Sequence, residues 1–234
     1  MNNWQVDLFT GLQQAHNMQD VVDVALHTVR PMGFDYVFWR WDIPLPMTEK
    51  KRLGINTQDD KAMERVISGD YDNAPVPKHC SQSEEPIYYS GTTDEAIFLK
   101  APDLWEEYHS WGHRGGWAQS IIEGSGIFSI FHVDSKDIVD IKYLKNISFH
   151  LQWITIAVHS TMSHLRSKPT VSLSTREKEV LRWTGDGKTA DQIAEILMLS
   201  PSTINFHLRN AMMKLDAPNK TAAVVRAIFL GLLH

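Results

Sequence analysis

The sequence predicts an α+β protein of two domains, an N-terminal α-β-α sandwich and a C-terminal four-helix domain of the helix-turn-helix type. Three observations carry this. Runs rich in aromatic and β-branched residues, at 34–42, 86–89 and 117–133, alternate with amphipathic stretches, the pattern of a sheet covered by helices. A long stretch, 136–165, has helical spacing throughout and contains neither Gly nor Pro. Residues 173–215 then carry two capping boxes and a Ser-Pro helix start in close succession, the punctuation of three short helices.

From the N-terminus, stretches 4–15 and 18–30 place Leu8, Leu12, Val21, Val22, Ala25 and Val29 at helical intervals, with Asn17 between them and Gly33 closing the second. The strand at 34–42 ends before Pro44 and Pro46. A loop leads to a short helix at 57–68 whose apolar side is Ala62, Met63, Val66 and Ile67. Ala74-Pro75-Val76-Pro77 reads as a break, 86–89 as extended chain and 103–111 as helix. Stretches 117–123 and 126–133, with Gly124 between them, read as a β-hairpin.

Within 136–165, Leu144, Ile147, Leu151, Ile154, Val158, Met162 and Leu165 form one apolar strip, and Phe149, Trp153 and Ile156 a second. One strip can cover the sheet while the other meets a partner subunit, with Leu151 and Ile154 as the expected subunit contact; a single broad core face is the alternative. Ser167-Lys168-Pro169-Thr170 is the linker signal, giving domains at 1–166 and 173–234 with the linker at 167–172.

In the second domain, Ser174 and Glu177 form the first capping box, ahead of Val180, Leu181 and Trp183. Gly187-Lys188 breaks the chain, and Thr189 with Gln192 caps a helix carrying Ile193, Ala194, Ile196 and Leu197. Ser200-Pro201 starts the third helix, 201–215. Ile204, Leu208, Ala211 and Leu215 fall on its inner side, and Ser202, Asn205, Phe206, Arg209 and Met213 on the outer. An aromatic beside Asn and Arg suits a major groove, where Asn reads adenine, Arg reads guanine and an aromatic edge touches a thymine methyl.

The net charge of −5 argues against a nucleic-acid binder until it is divided: from Val171 onward eight Lys and Arg stand against six Asp and Glu, a net of +2, leaving −7 elsewhere. Phosphate contacts are therefore few and local, with Lys188, Arg209, Lys214 and Lys220 the expected ones. No apolar run is long enough for a membrane span, the start lacks a secretory pattern, and Cys80 is the single cysteine, which fits a reducing cytoplasm. No cofactor or metal is expected: the eleven histidines show no zinc-protease spacing, and no phosphate loop or nucleophile elbow is present. His79-Cys80 is the one cysteine and histidine pair, and packing is its ordinary role.

Residues 173–181, 187–189, 202–210 and 214–220, and the tail Gly231-Leu232-Leu233, together resemble without a gap the DNA-binding domain of the LuxR family of quorum-sensing regulators, with Glu177, Leu181 and Gly187 at family positions. The resemblance implies a dimeric transcription factor on a palindromic operator of double-stranded DNA. The expected contact set is Lys188, Thr189, Ser202, Thr203, Asn205, Phe206, Arg209, Asn210, Lys214 and Lys220.

More loosely, the N-terminal part is similar to the autoinducer-binding domain of that family, through Gly33-Phe34-Asp35-Tyr36, residues 75–83, Pro86-Ile87 and Gly112-His113-Arg114-Gly115-Gly116. Members that bind acyl-homoserine lactones place a Trp and a Tyr on the short helix, an Asp-Pro pair after it and a later Trp. With a one-residue deletion before Ala74, this chain has Ala62, Val66, Ala74 and Tyr89 at those positions and keeps Pro75 and Gly116. The undeleted register would turn Lys61 and Arg65 inward. The head-group end thus reads as larger and less polar, implying an apolar small-molecule signal other than an ordinary acyl-homoserine lactone. Tyr88, Tyr89, Ser120 and His132 are the candidates for new polar contacts beside Ala62, Val66, Ala74, Pro75 and Gly116. The alternative from another class is an interaction protein that sequesters a second regulator by heterodimerisation.

Overall fold

A computed structural model describes residues 3–44, 51–58, 61–123, 126–166 and 171–233, apart from the side chains of Lys61 and Ala62. The chain divides into two compact units, Met1–Leu165 and Arg166–His234.

The first unit opens with helices α1 (Trp4–Gln14) and α2 (Met18–Val29). Asn17 and Asp20 form a full capping box at the start of α2, and a 3-10 turn ends at Gly33, whose φ of +91° suits a residue without a side chain. Five strands follow, β1 (Tyr36–Ile43), β2 (Lys51–Asn56), β3 (Ile87–Tyr89), β4 (Gly116–Ile122) and β5 (Phe128–Asp134), in the antiparallel order β2-β1-β5-β4-β3. The register sets up the site. Tyr36, Asp134, Gly116 and Tyr89 stand side by side across four strands, and Phe38, His132, Ala118 and Ile87 form the next row on the same face.

The opposite face carries Trp39, Trp41, Trp117 and Phe131, all buried, and packs on the long helix α7 (Ile141–Arg166). There Trp117 Nε1 donates to Ser148 Oγ at 3.2 Å, Tyr88 OH lies 3.0 Å from the same oxygen, and Trp39 lies 5.9 Å from His159. On the cavity side lie α3 (Lys61–Ser68), α4 (Pro75–Cys80), α5 (Ala96–Leu99) and α6 (Pro102–Ser110). A sheet between two helical layers is the sandwich expected from the sequence.

Several elements differ from expectation for physical reasons. The Pro-rich stretch is helical, not a break, because Pro75 and Pro77 lie in the first turn of α4, where amide hydrogens have no partner inside the helix. β2 is an edge strand of partly exposed residues with little apolar alternation to announce it. α7 starts at Ile141, where Asp140 Oδ1 accepts from Lys142 N at 2.9 Å; the preceding segment is held as loop by Ser135 N to Gly115 O and Val139 N to Ser90 O. Leu151 and Ile154 are fully buried by the sheet, so they are core and not subunit contact. Phe149, Trp153 and Ile156 are the strip that faces outward.

In the second unit, α8 (Thr175–Gly185), α9 (Ala190–Leu197), α10 (Pro201–Lys214) and α11 (Lys220–Phe229) surround Val180, Leu181, Ile193, Ile204, Leu208 and Ala223. The boxes Ser174/Glu177 and Thr189/Gln192 are both formed, and Ser200 and Asn219 cap the other two helices. Each cap satisfies amides that would otherwise be orphaned.

Gly116 tests the register. A Cβ there would collide with the Tyr89 hydroxyl and the Asp134 carboxylate, and such overpacking costs about 1 to 3 kcal/mol. Gly116→Ala should lower the thermal unfolding midpoint of the full chain; an unchanged midpoint would contradict the close row of Tyr89, Gly116 and Asp134.

Candidate ligand cavity and DNA-binding surface

Between the sheet and the helices α3, α4 and α6 lies a cavity of about 80 Å3. Strand residues Tyr36, Phe38, Arg40, Ile130, His132 and Asp134 form one wall; Val66, Tyr71, Ala74, Pro75, Val76, Leu104, Trp105 and Tyr108 form the other, and His113 closes one end of the set. The β pleat explains the first wall: alternate residues of β1 and β5 face one way, so Trp39, Trp41 and Phe131 go to α7 while the polar residues between them go to the cavity.

Two buried polar groups organise that wall. Arg40 is bidentate to Asp42, at 2.5 and 2.7 Å, and also donates to Asp72 at 2.9 Å. Burial works against its charge, but Asp42 and Asp72 more than offset this and stabilise the guanidinium. Asp134 is 2% exposed and accepts from three side chains, Tyr89 on Oδ1 and Tyr108 at 2.7 Å and His113 at 3.0 Å on Oδ2, while His132 Nε2 bonds to the Tyr89 hydroxyl and lies 3.1 Å from Oδ1. Burial alone would raise its pKa; His132 and His113 outweigh that and hold the carboxyl well below the usual range. Burial, with the Asp134 charge beside them, pushes the Tyr89 and Tyr108 hydroxyls up, so both remain donors.

The expected ligand residues separate on this geometry. Val66, Ala74, Pro75 and His132 line the cavity. Ala62 lies outside the described side chains. Tyr88 does not line it, because β3 turns its side chain to Ser148 of α7. Tyr89 is enclosed behind the wall, bonded to His132 and Asp134, and Gly116 serves by leaving room for that contact. Ser120 is spent on Ser83 O at 2.8 Å. The cavity wall is not simply apolar, since Arg40 lines it together with Val66 and Ala74. Arg40, His113 and Asp134 escaped sequence reasoning; an Arg and an Asp two apart on a tryptophan-rich strand was the available signal.

The His79-Cys80 pair does not face itself in the fold. Cys80 is fully buried and burial pushes its thiol up to about 12, while His79 turns to Glu85 O at 2.8 Å. No group of three His, Cys, Asp or Glu among the described residues is arranged to hold a metal.

On the second unit, α10 buries Ile204, Leu208, Ala211 and leaves Ser202, Asn205, Phe206 and Arg209 exposed, with Phe206 at 53%. Thr203 and Asn210 are half-buried flanking positions, and Ser200 Oγ holds both Ser202 and Thr203 hydroxyls, at 2.7 and 2.8 Å. Lys188, Thr189 and Lys220 are exposed at helix starts. Lys188, Arg209 and Lys220 have no ion-pair partner among the described residues, but Lys214 Nζ is bound to the buried Glu177 at 2.8 Å. Lys214 thus serves the fold in place of a free phosphate contact. Burial opposes the Glu177 charge, yet Lys214 and the Ser174 amide outweigh it and lower the pKa.

Residues 17–162 match the family model described as an autoinducer binding domain, and residues 171–227 the one described as bacterial regulatory proteins of the luxR family. The chain belongs to the LuxR family of quorum-sensing transcriptional regulators. It is 34% identical to the transcriptional activator protein AnoR of Acinetobacter nosocomialis, with 100% of both chains covered. It is 32% identical to the quorum-sensing regulator RhlR of Pseudomonas aeruginosa, covering 98% of this chain and 96% of that one. The crystal structure of Escherichia coli SdiA superimposes with a TM-score of 0.81 at 24% identity, over 99% of this chain and 98% of that one, which shows the shared fold. The LuxR-type assignment makes this a DNA-binding regulator with an autoinducer-binding domain, and the family is not one of enzymes.

Two outcomes follow from the surface. Arg209→Ala should cost about 1 to 3 kcal/mol on a specific operator and relax preference at one base pair, whereas Lys188→Ala should weaken all sequences alike; gel-shift titrations against single-base operator variants read the difference. Glu177→Gln should destabilise the helical unit by about 1 to 3 kcal/mol. Because the folded pKa is depressed, the carboxylate's contribution is full above the ordinary glutamate value of 4.5 and is lost as pH falls through the lower folded value. The stability gap between Glu177→Gln and the unaltered chain, measured by denaturant titration, should therefore close in acid.

Proposed function

We propose that this LuxR-type regulator is a cytoplasmic dimer that reads a palindromic operator and answers to a small molecule other than an ordinary acyl-homoserine lactone. The observation that carries the signal reading is the wall beside α3 and α4. Val66 and Ala74 present apolar surface, and the nearby carboxylates are already committed, Asp70 to Arg65 and Asp72 to Arg40 and Arg52. Among the described residues a buried lactone amide would find no unpaired carboxylate there, at a cost of about 1 to 3 kcal/mol for that group alone.

Two experiments test the signal. Calorimetric titration with acyl-homoserine lactones of graded chain length should give no submicromolar binding, and submicromolar binding of any member would overturn the reading. Mass spectrometry of small molecules released from freshly purified protein should show a different compound, bulkier or less hydrogen-bonded at its head.

The dimer reading rests on the outward strip of α7. Phe149 is 72% exposed and Ile156 61%, and Trp153 packs edge-on to Trp4 and Phe9 of α1, so the patch is continuous and apolar. Ile156→Glu should leave the fold intact, give monomers by sedimentation at several concentrations and weaken operator affinity by at least about tenfold. A tight dimer in that variant would place the contact elsewhere. The same strip would serve heterodimerisation with another regulator, which copurification of a second LuxR-type chain in place of self-association would indicate.

A further inference from the structure

Arg40 is 2% exposed and lines the cavity, yet the fold uses only part of its guanidinium. Nε and Nη2 donate to Asp42 at 2.5 and 2.7 Å, and Nη2 also donates to Asp72 at 2.9 Å. The planar fork has a third corner, Nη1, which carries two more N–H groups. Among the described residues nothing accepts from it. It is not sealed, either: the Trp39 and Trp41 indole nitrogens are unpartnered and closed off from any neighbour molecule, whereas Arg40 Nη1 keeps accessible surface. That surface belongs to the cavity. β1 turns Arg40 to the cavity side of the sheet, Trp39 and Trp41 fill the other side, and Asp42 covers the edge formed by Nε and Nη2. Buried donors ordinarily have acceptors, so this corner invites one from outside the chain.

The chemistry of that acceptor follows from the surrounding charges. Arg40 and Arg52 stand against Asp42 and Asp72 in one linked cluster, so there is no surplus positive charge to hold an anion. What Nη1 offers is donation strengthened by its own charge, and the complement of such a donor in a neutral cluster is a carbonyl oxygen. Asp42 and Asp72 are already occupied, so a head that accepts is matched here and a head that must donate to a carboxylate is not. The rest of the wall suits an apolar body. Phe38 and Tyr36 lie at two-residue steps from Arg40 on the same face of β1, and Val66, Val76 and Ile130 line the same cavity. From Arg40 to Tyr36 the strand spans roughly 13 Å at the usual rise, room for a short chain or a ring.

We propose that Arg40 Nη1 is the head-group donor of the cavity, and that the ligand is an uncharged molecule with an apolar body and a ketone or ester carbonyl that accepts from it. This rests on the ligand-responsive reading above and deepens it.

Three probes of matched shape test this on the full-length protein: pentan-2-one; 2-methylpent-1-ene, in which a methylene replaces the carbonyl oxygen; and butanoate, in which a charged oxygen replaces the methyl beside the carbonyl. Affinities are read by nuclear magnetic resonance titration. The carbonyl stretch of bound pentan-2-one is read by isotope-difference infrared spectroscopy, against the same ketone in heptane and in water. The bound stretch should lie at or below the water value, as a charge-assisted donor requires. In Arg40→Lys, which keeps a cation for Asp42 and Asp72 but lacks the Nη1 corner, the stretch should move toward the heptane value, and the ketone-to-hydrocarbon affinity ratio should fall at least about tenfold. Butanoate should bind more weakly than the ketone. A heptane-like stretch in the unaltered protein, or an unchanged ratio in Arg40→Lys, overturns the inference and leaves the ligand-responsive reading intact. Butanoate bound more tightly than the ketone overturns the uncharged class. Failure of both uncharged probes to bind up to solubility removes the cavity as a ligand site and takes both readings with it. If Arg40→Lys does not fold, the stretch in the unaltered protein decides.

Discussion

The sensory unit is built around the buried carboxylate of Asp134. Placed at the end of β5 by the antiparallel register, it gathers Tyr89 from β3, Tyr108 from α6, and His113 and His132 from before and within the hairpin. An ion this deep is tolerated only when it is hydrogen-bonded and paired, and three donors with His132 beside them do that here. Their positions then become mutually dependent. Removing one partner leaves a charge without compensation in a wall where water has little access, so the cluster fixes the end of the cavity as a unit.

The DNA-binding unit shows the same logic on a smaller scale. Glu177 closes the Ser174 capping box and simultaneously holds Lys214 at the far end of α10. One carboxylate thus fastens the start of α8 to the end of α10. Asn205, Phe206 and Arg209 lie on the exposed face of the helix so fastened. With Lys214 committed inward, Lys188, Arg209 and Lys220 are cations of the expected contact set without an ion-pair partner among the described residues, in keeping with the small positive charge of this half of the chain.

Legibility in the sequence divided along physical lines. The helical unit could be read almost residue by residue, because capping boxes, Pro201 at a first helical position and the Gly187 turn are local signals that need no tertiary context. α1, α2, β1 and the hairpin were legible from periodicity. α4 was not, since two prolines signal a break unless both fall in the first turn, and β2 was not, since an edge strand has little apolar pattern. The two strips of α7 were visible, but periodicity cannot say which one meets the sheet; Leu151 and Ile154 do, and Phe149 and Ile156 do not. The cavity suffered most. A family comparison pointed to Val66, Ala74 and Pro75, and the hairpin to His132, all of which line it, whereas Arg40, His113 and Asp134 become significant only when folding joins Arg40 to Asp42 and Asp72, and Asp134 to Tyr89, Tyr108 and His113.

The central claim is that the buried Asp134 is an ionised carboxylate held by Tyr89, Tyr108 and His113 at the end of the cavity. Carboxyl carbon shifts of labelled aspartates in the full-length protein, followed as pH falls, report its protonation directly. The account predicts that the Asp134 carboxyl stays ionised below the ordinary aspartate value of 3.8. An Asp134 that takes up its proton at or above that value would contradict it.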